Sequence, residues 1–74
     1  MKPLLDGPTA VASVIKRYVL NHSGKNPTKA EFCSICRELG NTQDEIDEYI
    51  DTAVVAGIVN YDESTDILTS IIGI

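Results

Sequence analysis

Two Thr-x-x-Glu signatures, Thr28-Lys29-Ala30-Glu31 and Thr42-Gln43-Asp44-Glu45, stand on either side of the turn Leu39-Gly40-Asn41. In such a signature the threonine hydroxyl accepts the N–H three residues on, while the glutamate reaches back to the threonine's own N–H. Each therefore opens a helix. Gly40, free to take a left-handed conformation, closes the helix before it. Two helices joined by so short a turn cross at a steep angle. No other feature limits the chain as tightly.

Apolar spacing fills in the rest. Val11, Val14, Ile15, Tyr18 and Val19 recur at helical intervals, which predicts a first helix with Thr9 as its N-cap and Ser23-Gly24 as its end. Phe32, Ile35, Cys36 and Leu39 form the stripe of a second helix, and Ile46, Tyr49, Ile50, Ala53 and Val54 that of a third, ended by Gly57. Ile58 to Tyr61 and Ile67 to Ile72 read as strands joined by the polar loop Asp62-Glu63-Ser64-Thr65-Asp66. A short third strand is expected from the arm or from the Lys25–Pro27 loop. Residues 1–8 are an arm broken by Pro3, Gly7 and Pro8, whose Leu4 and Leu5 should dock on a domain spanning 9–74.

Helix, helix, helix, hairpin is the order of a winged helix-turn-helix, a mainly α (α+β) fold with a two-stranded wing. The run PTKAEFCSICRELG, followed by TQDEIDEYIDTAVVAGIVNY and a closing hairpin, resembles the N-terminal winged helix of the SOS-response repressors. The resemblance covers about Thr9 to Ile71 and implies that the third helix is the one that faces DNA. Two carboxylates near Asp47 and Glu48 are compatible with that family. Asp51, Val55 and Ala56 depart from it, standing where basic or polar residues are common. The repressors' self-cleaving second domain has no counterpart in this chain.

Stepping about 100° per residue from Ile46 puts Asp44, Asp47, Glu48 and Asp51 opposite the core, with Val55 among them and Glu45 on the flank. Net charge is −5, and all six basic residues lie at or before Arg37. A DNA reader needs cations against phosphate, and this face offers none. The expectation is a non-enzymatic regulator that binds a basic protein through Asp44, Asp47, Glu48, Asp51 and Val55. A phage- or plasmid-type modulator of transcription machinery, or a mimic of nucleic-acid charge, belongs to that class. The alternative is a transcriptional regulator contacting DNA with Lys29, Arg37, Thr42 and Gln43. A third is an assembly subunit pairing through its C-terminal strand, where Ile72 and Ile74 would form a homodimer unless Leu4 and Leu5 cover them.

At 74 residues the chain is one small domain, burying only about 60% of its unfolded surface, and it has little room for an enclosed active site. No nucleophile stands with a His and an acid, no glycine-rich phosphate loop appears, and carboxylates on a convex helix lack a cleft. Neither cofactor nor metal is expected. Cys33 and Cys36 have the CxxC spacing but no second pair, with only His22 as a further soft ligand, so small buried hydrophobes are the expected role. Cys36 should face the core and Cys33 its boundary. His22 reads as a cap-region residue, and Tyr18, Tyr49 and Tyr61 as core-edge aromatics. Of these, Tyr61 is the one expected to reach a partner. No apolar run approaches the about 20 residues of a membrane span, and no secretory leader is recognisable, which predicts a soluble cytoplasmic protein.

Overall fold

The computed structural model describes residues 3–71. Helices α1 (Pro8–Asn21), α2 (Lys29–Glu38) and α3 (Gln43–Val55) precede an antiparallel hairpin of β1 (Val59–Asp62) and β2 (Ile67–Ser70). This mixed α+β order is the one that the caps and apolar periods predict.

The helix starts differ in detail. Pro8 opens α1 at a position where its missing N–H costs nothing, and Gly7 precedes it without a side-chain cap. Thr9 is thus inside the helix and not its N-cap. On α3 the capping box is complete: Thr42 Oγ1 accepts from Glu45 N at 3.2 Å, and Glu45 Oε1 accepts from Thr42 N at 3.0 Å. On α2 only half of it forms. Thr28 Oγ1 accepts from Glu31 N at 3.1 Å, but the Glu31 carboxylate turns away to accept the Tyr18 hydroxyl. Asp66 stands in, its carbonyl accepting from Lys29 N at 2.7 Å and its carboxylate from Ala30 N at 3.4 Å. The end of the hairpin loop thereby holds the start of α2.

Gly40, at φ +107°, makes the left-handed step between α2 and α3, and Gly57, at φ +76°, does the same between α3 and β1. The core gathers Leu5, Val11, Ile15, Phe32, Cys36, Ile46, Ile50, Ala53, Val59 and Leu68 from every element. Leu5 is fully buried and Leu4 packs partly against the same cluster, as expected of the arm. Cys33, expected at the boundary, is buried at 7% exposure.

In the hairpin, Asp62 pairs with Ile67 and Val59 with Ser70, so the loop is residues 63–66, a residue shorter than Asp62–Asp66. The expected third strand is reduced to one antiparallel bridge, Thr28 to Ile67, beside a bond from Leu68 N to Pro27 O of 2.9 Å. It cannot extend, because Pro27 has no N–H and Thr28 is already the cap of α2. β2 stops at Ser70, and Ile71 N then bonds Ile58 O at 2.9 Å. Ile72 and Ile74, on which the expected homodimer rests, lie outside the described residues.

Candidate functional site

The outer face of α3 is set by its inner one. Ile46, Ile50 and Ala53 are buried, which turns Asp44, Asp47, Glu48 and Asp51 to solvent. Val55 is 83% exposed, the most exposed of the large apolar side chains among the described residues. Glu45, on the flank, is half-buried and engaged in its cap. Asp47 Oδ1 accepts from Gln43 Nε2 at 2.9 Å. Among the described residues, none of the four exposed carboxylates has an ion-pair partner.

Their spacing makes them one another's neighbours at three and four residues, where like charges destabilise a helix. The positive N-terminal end of the dipole offsets this for Asp44 and Glu45, in the first turn. Asp51 lies in the second half of α3, whose last turn carries no basic residue, and gains nothing from the dipole.

The hairpin loop is acidic too, but its acids are engaged. Asp62 Oδ1 accepts from Ser64 N at 3.0 Å and Ser64 Oγ at 2.7 Å. These bonds favour the carboxylate and hold its pKa below the ordinary value. Asp66 accepts the Tyr61 hydroxyl as well as Ala30 N. That bond, then burial and the nearby acids, pushes the Tyr61 pKa up. The Tyr61 ring also carries Lys29 Nζ at 5.5 Å, so both ends of this tyrosine meet the protein itself.

The alternative set is brought together only in part. Lys29, Arg37 and Gln43 line one shallow groove, but Asp47 and Asp66 line it with them. The Gln43 amide is occupied by Asp47 and by Cys33 Sγ at 3.6 Å, and the Thr42 hydroxyl by its cap. Both cysteines are free and buried, and burial, followed by the neighbouring Cys33, pushes the Cys36 thiol up to about 12. Among the described residues no cluster of three or more His, Cys, Asp or Glu is placed to hold a metal ion. No helix among them is long and apolar enough to cross a membrane.

Sequence reasoning missed Asn41, the one buried polar residue among those described, at 4% exposure. Its side chain pairs with the arm as a strand would: Oδ1 accepts from Leu5 N at 2.9 Å, and Nδ2 donates to Leu5 O at 3.0 Å. An asparagine directly after the Gly40 stop is the only local hint. Comparison with protein-family models, curated proteins and solved structures finds no match.

Proposed function

We propose that the chain is a winged helix-turn-helix in which α2 and α3 form the motif and the hairpin the wing, and that it acts without catalysis by binding a protein through α3. The Thr28–Ile67 bridge, which ties the start of α2 to the hairpin, supports the fold reading. The functional reading is carried by one observation: Asp44, Asp47, Glu48 and Asp51 line the outer side of α3, which ends in the exposed Val55, and none of the four has an ion-pair partner among the described residues. An anionic face that ends in an exposed apolar side chain steers a basic partner and then packs against it.

Magnitudes weigh against duplex DNA on this face. At an effective dielectric of about 20, a carboxylate about 5 Å from a phosphate is repelled by about 3 kcal/mol. Two such contacts, about 6 kcal/mol, match an entire non-specific association of about 5–8 kcal/mol. The DNA-binding alternative rests on the groove shared by Lys29, Arg37 and Gln43, where Asp47 and Asp66 oppose the same phosphate. The assembly reading keeps only Ile71, 56% exposed, within the described residues.

Capture of partner protein by the wild type, compared with the Asp47→Lys/Asp51→Lys protein, tests the proposal. Loss of a specific bound protein in the variant is the expected result, and unchanged capture would remove the reading. A gel shift with random duplex at low salt tests the alternative: the expected result is no shift, and clear binding would favour DNA.

A further inference from the structure

Next to the arm's fully buried Leu5, the half-buried Leu4 borders a surface recess of about 230 Å³ between α1 and α2. Val14, Ile35 and Leu39 complete its apolar lining, and Leu39 is 46% exposed. One wall is the stacked pair of Tyr18 and His22, rings 3.8 Å apart and 7° from parallel. That wall is held in place. The Tyr18 hydroxyl donates to Glu31, and His22 Nδ1 sits 2.8 Å from the Tyr18 carbonyl, which only accepts. Arg17 stands on the rim, exposed and without an ion-pair partner among the described residues, and Lys16 borders the next recess along α1. No Asp or Glu is among the described residues lining the recess.

Small-molecule sites enclose about 300–1,000 Å³. This recess is smaller and half open, a size suited to an aliphatic side chain presented by a protein. The cation on its rim asks for a carboxylate near that side chain. The chain itself presents such a segment. On α3, Val55 is 83% exposed, with Asp51 one turn and Glu48 two turns before it on the same side. Charge is divided accordingly, with every Lys and Arg at or before Arg37.

We propose that the chain associates head to tail with a second copy of itself, Val55 of one copy entering the α1–α2 recess of the next while Asp51 meets Arg17. This rests on the reading that α3 is a protein-binding face and names a second copy as one partner of it. The contact joins two different surfaces, so each assembly keeps a free recess at one end and a free α3 face at the other. It therefore grows or closes into a ring instead of stopping at a symmetric dimer. A basic partner bound to α3 competes with it.

The full chain in sedimentation velocity, over a concentration series near 0.15 M salt, gives the test. There the Debye length is about 8 Å, so the repulsion of two −5 chains is largely screened while contact pairs persist. The wild-type mass is expected to rise above 8.0 kDa with concentration. Arg17→Glu and Val55→Asp, each with wild-type helical circular dichroism, are expected to remain monomers separately. Mixed in equal amounts they are expected to form a heterodimer and nothing larger, because each supplies the face that the other lacks. A constant wild-type mass, association that survives both substitutions, or a mixture that stays monomeric while the wild type associates would overturn the proposal. Capture of a basic partner, measured beside the mass, separates the two readings. Capture by a wild type whose mass stays constant refutes the head-to-tail contact alone. Self-association with capture unaffected by Asp47→Lys/Asp51→Lys refutes the basic-partner reading alone.

Discussion

Asn41 does at one position what a strand does over several. Its amide satisfies both the N–H and the carbonyl of Leu5, and thereby fixes a leucine of the core. Removing it leaves two buried backbone groups unpaired, so Asn41→Ala is expected to lower stability by about 1–3 kcal/mol in urea unfolding. Asn41→Asp should cost more, since it loses the donor and points a carboxylate at the Leu5 carbonyl. An unchanged unfolding midpoint for both would show that the arm is not held here. Asp62 is a second single-residue device. Its lowered pKa means that its contribution to stability is complete above the ordinary value of 3.8 and is lost as pH falls through the lower folded value. In Ser64→Ala, which removes the largest cause, the Asp62 carboxyl is expected to titrate closer to 3.8 by NMR. No movement would mean that the Ser64 hydroxyl bond does not form in solution. Cys36, pushed up to about 12 by burial, should resist alkylation in the native protein at pH 8 and react once unfolded in urea.

The helices were legible mostly where their information is local, although Thr9 is not an N-cap and Leu39 and Val54, expected in the apolar stripes of α2 and α3, are exposed. Apolar spacing placed Val11, Ile15, Phe32, Cys36, Ile46, Ile50 and Ala53 in the core, and the second capping box forms as its residues predict. What escaped was long-range. Asn41 meets a residue 36 positions away, Asp66 meets Ala30 at the same separation, and Glu31 leaves its cap for Tyr18. No spacing rule carries such pairings. The candidate site divides the same way: the outward turn of the α3 acids follows from the helical period, whereas the engagement of Asp62, Asp66 and Tyr61 among themselves and with α2 does not. The two caps should therefore differ. Thr42→Ala removes part of a complete box and is expected to cost about 1 kcal/mol. Thr28→Ala should cost less, because Asp66 continues to hold the Lys29 and Ala30 N–H groups. Equal losses in thermal or urea unfolding would show that Asp66 contributes nothing to the start of α2.

For the whole molecule the governing fact is the separation of charge. The cations belong to α1, α2 and the segments around them, while α3 and the hairpin carry only acids. The two sets meet in the groove that Lys29 and Arg37 share with Asp47 and Asp66, and which side of it captures a partner decides between the readings. Capture should be run side by side on wild type, Asp47→Lys/Asp51→Lys and Lys29→Glu/Arg37→Glu, over a salt series. A bound protein that is released by salt, lost with the first variant and kept by the second is the predicted result. A partner lost with the second variant and kept by the first would contradict the assignment of function to the outer face of α3.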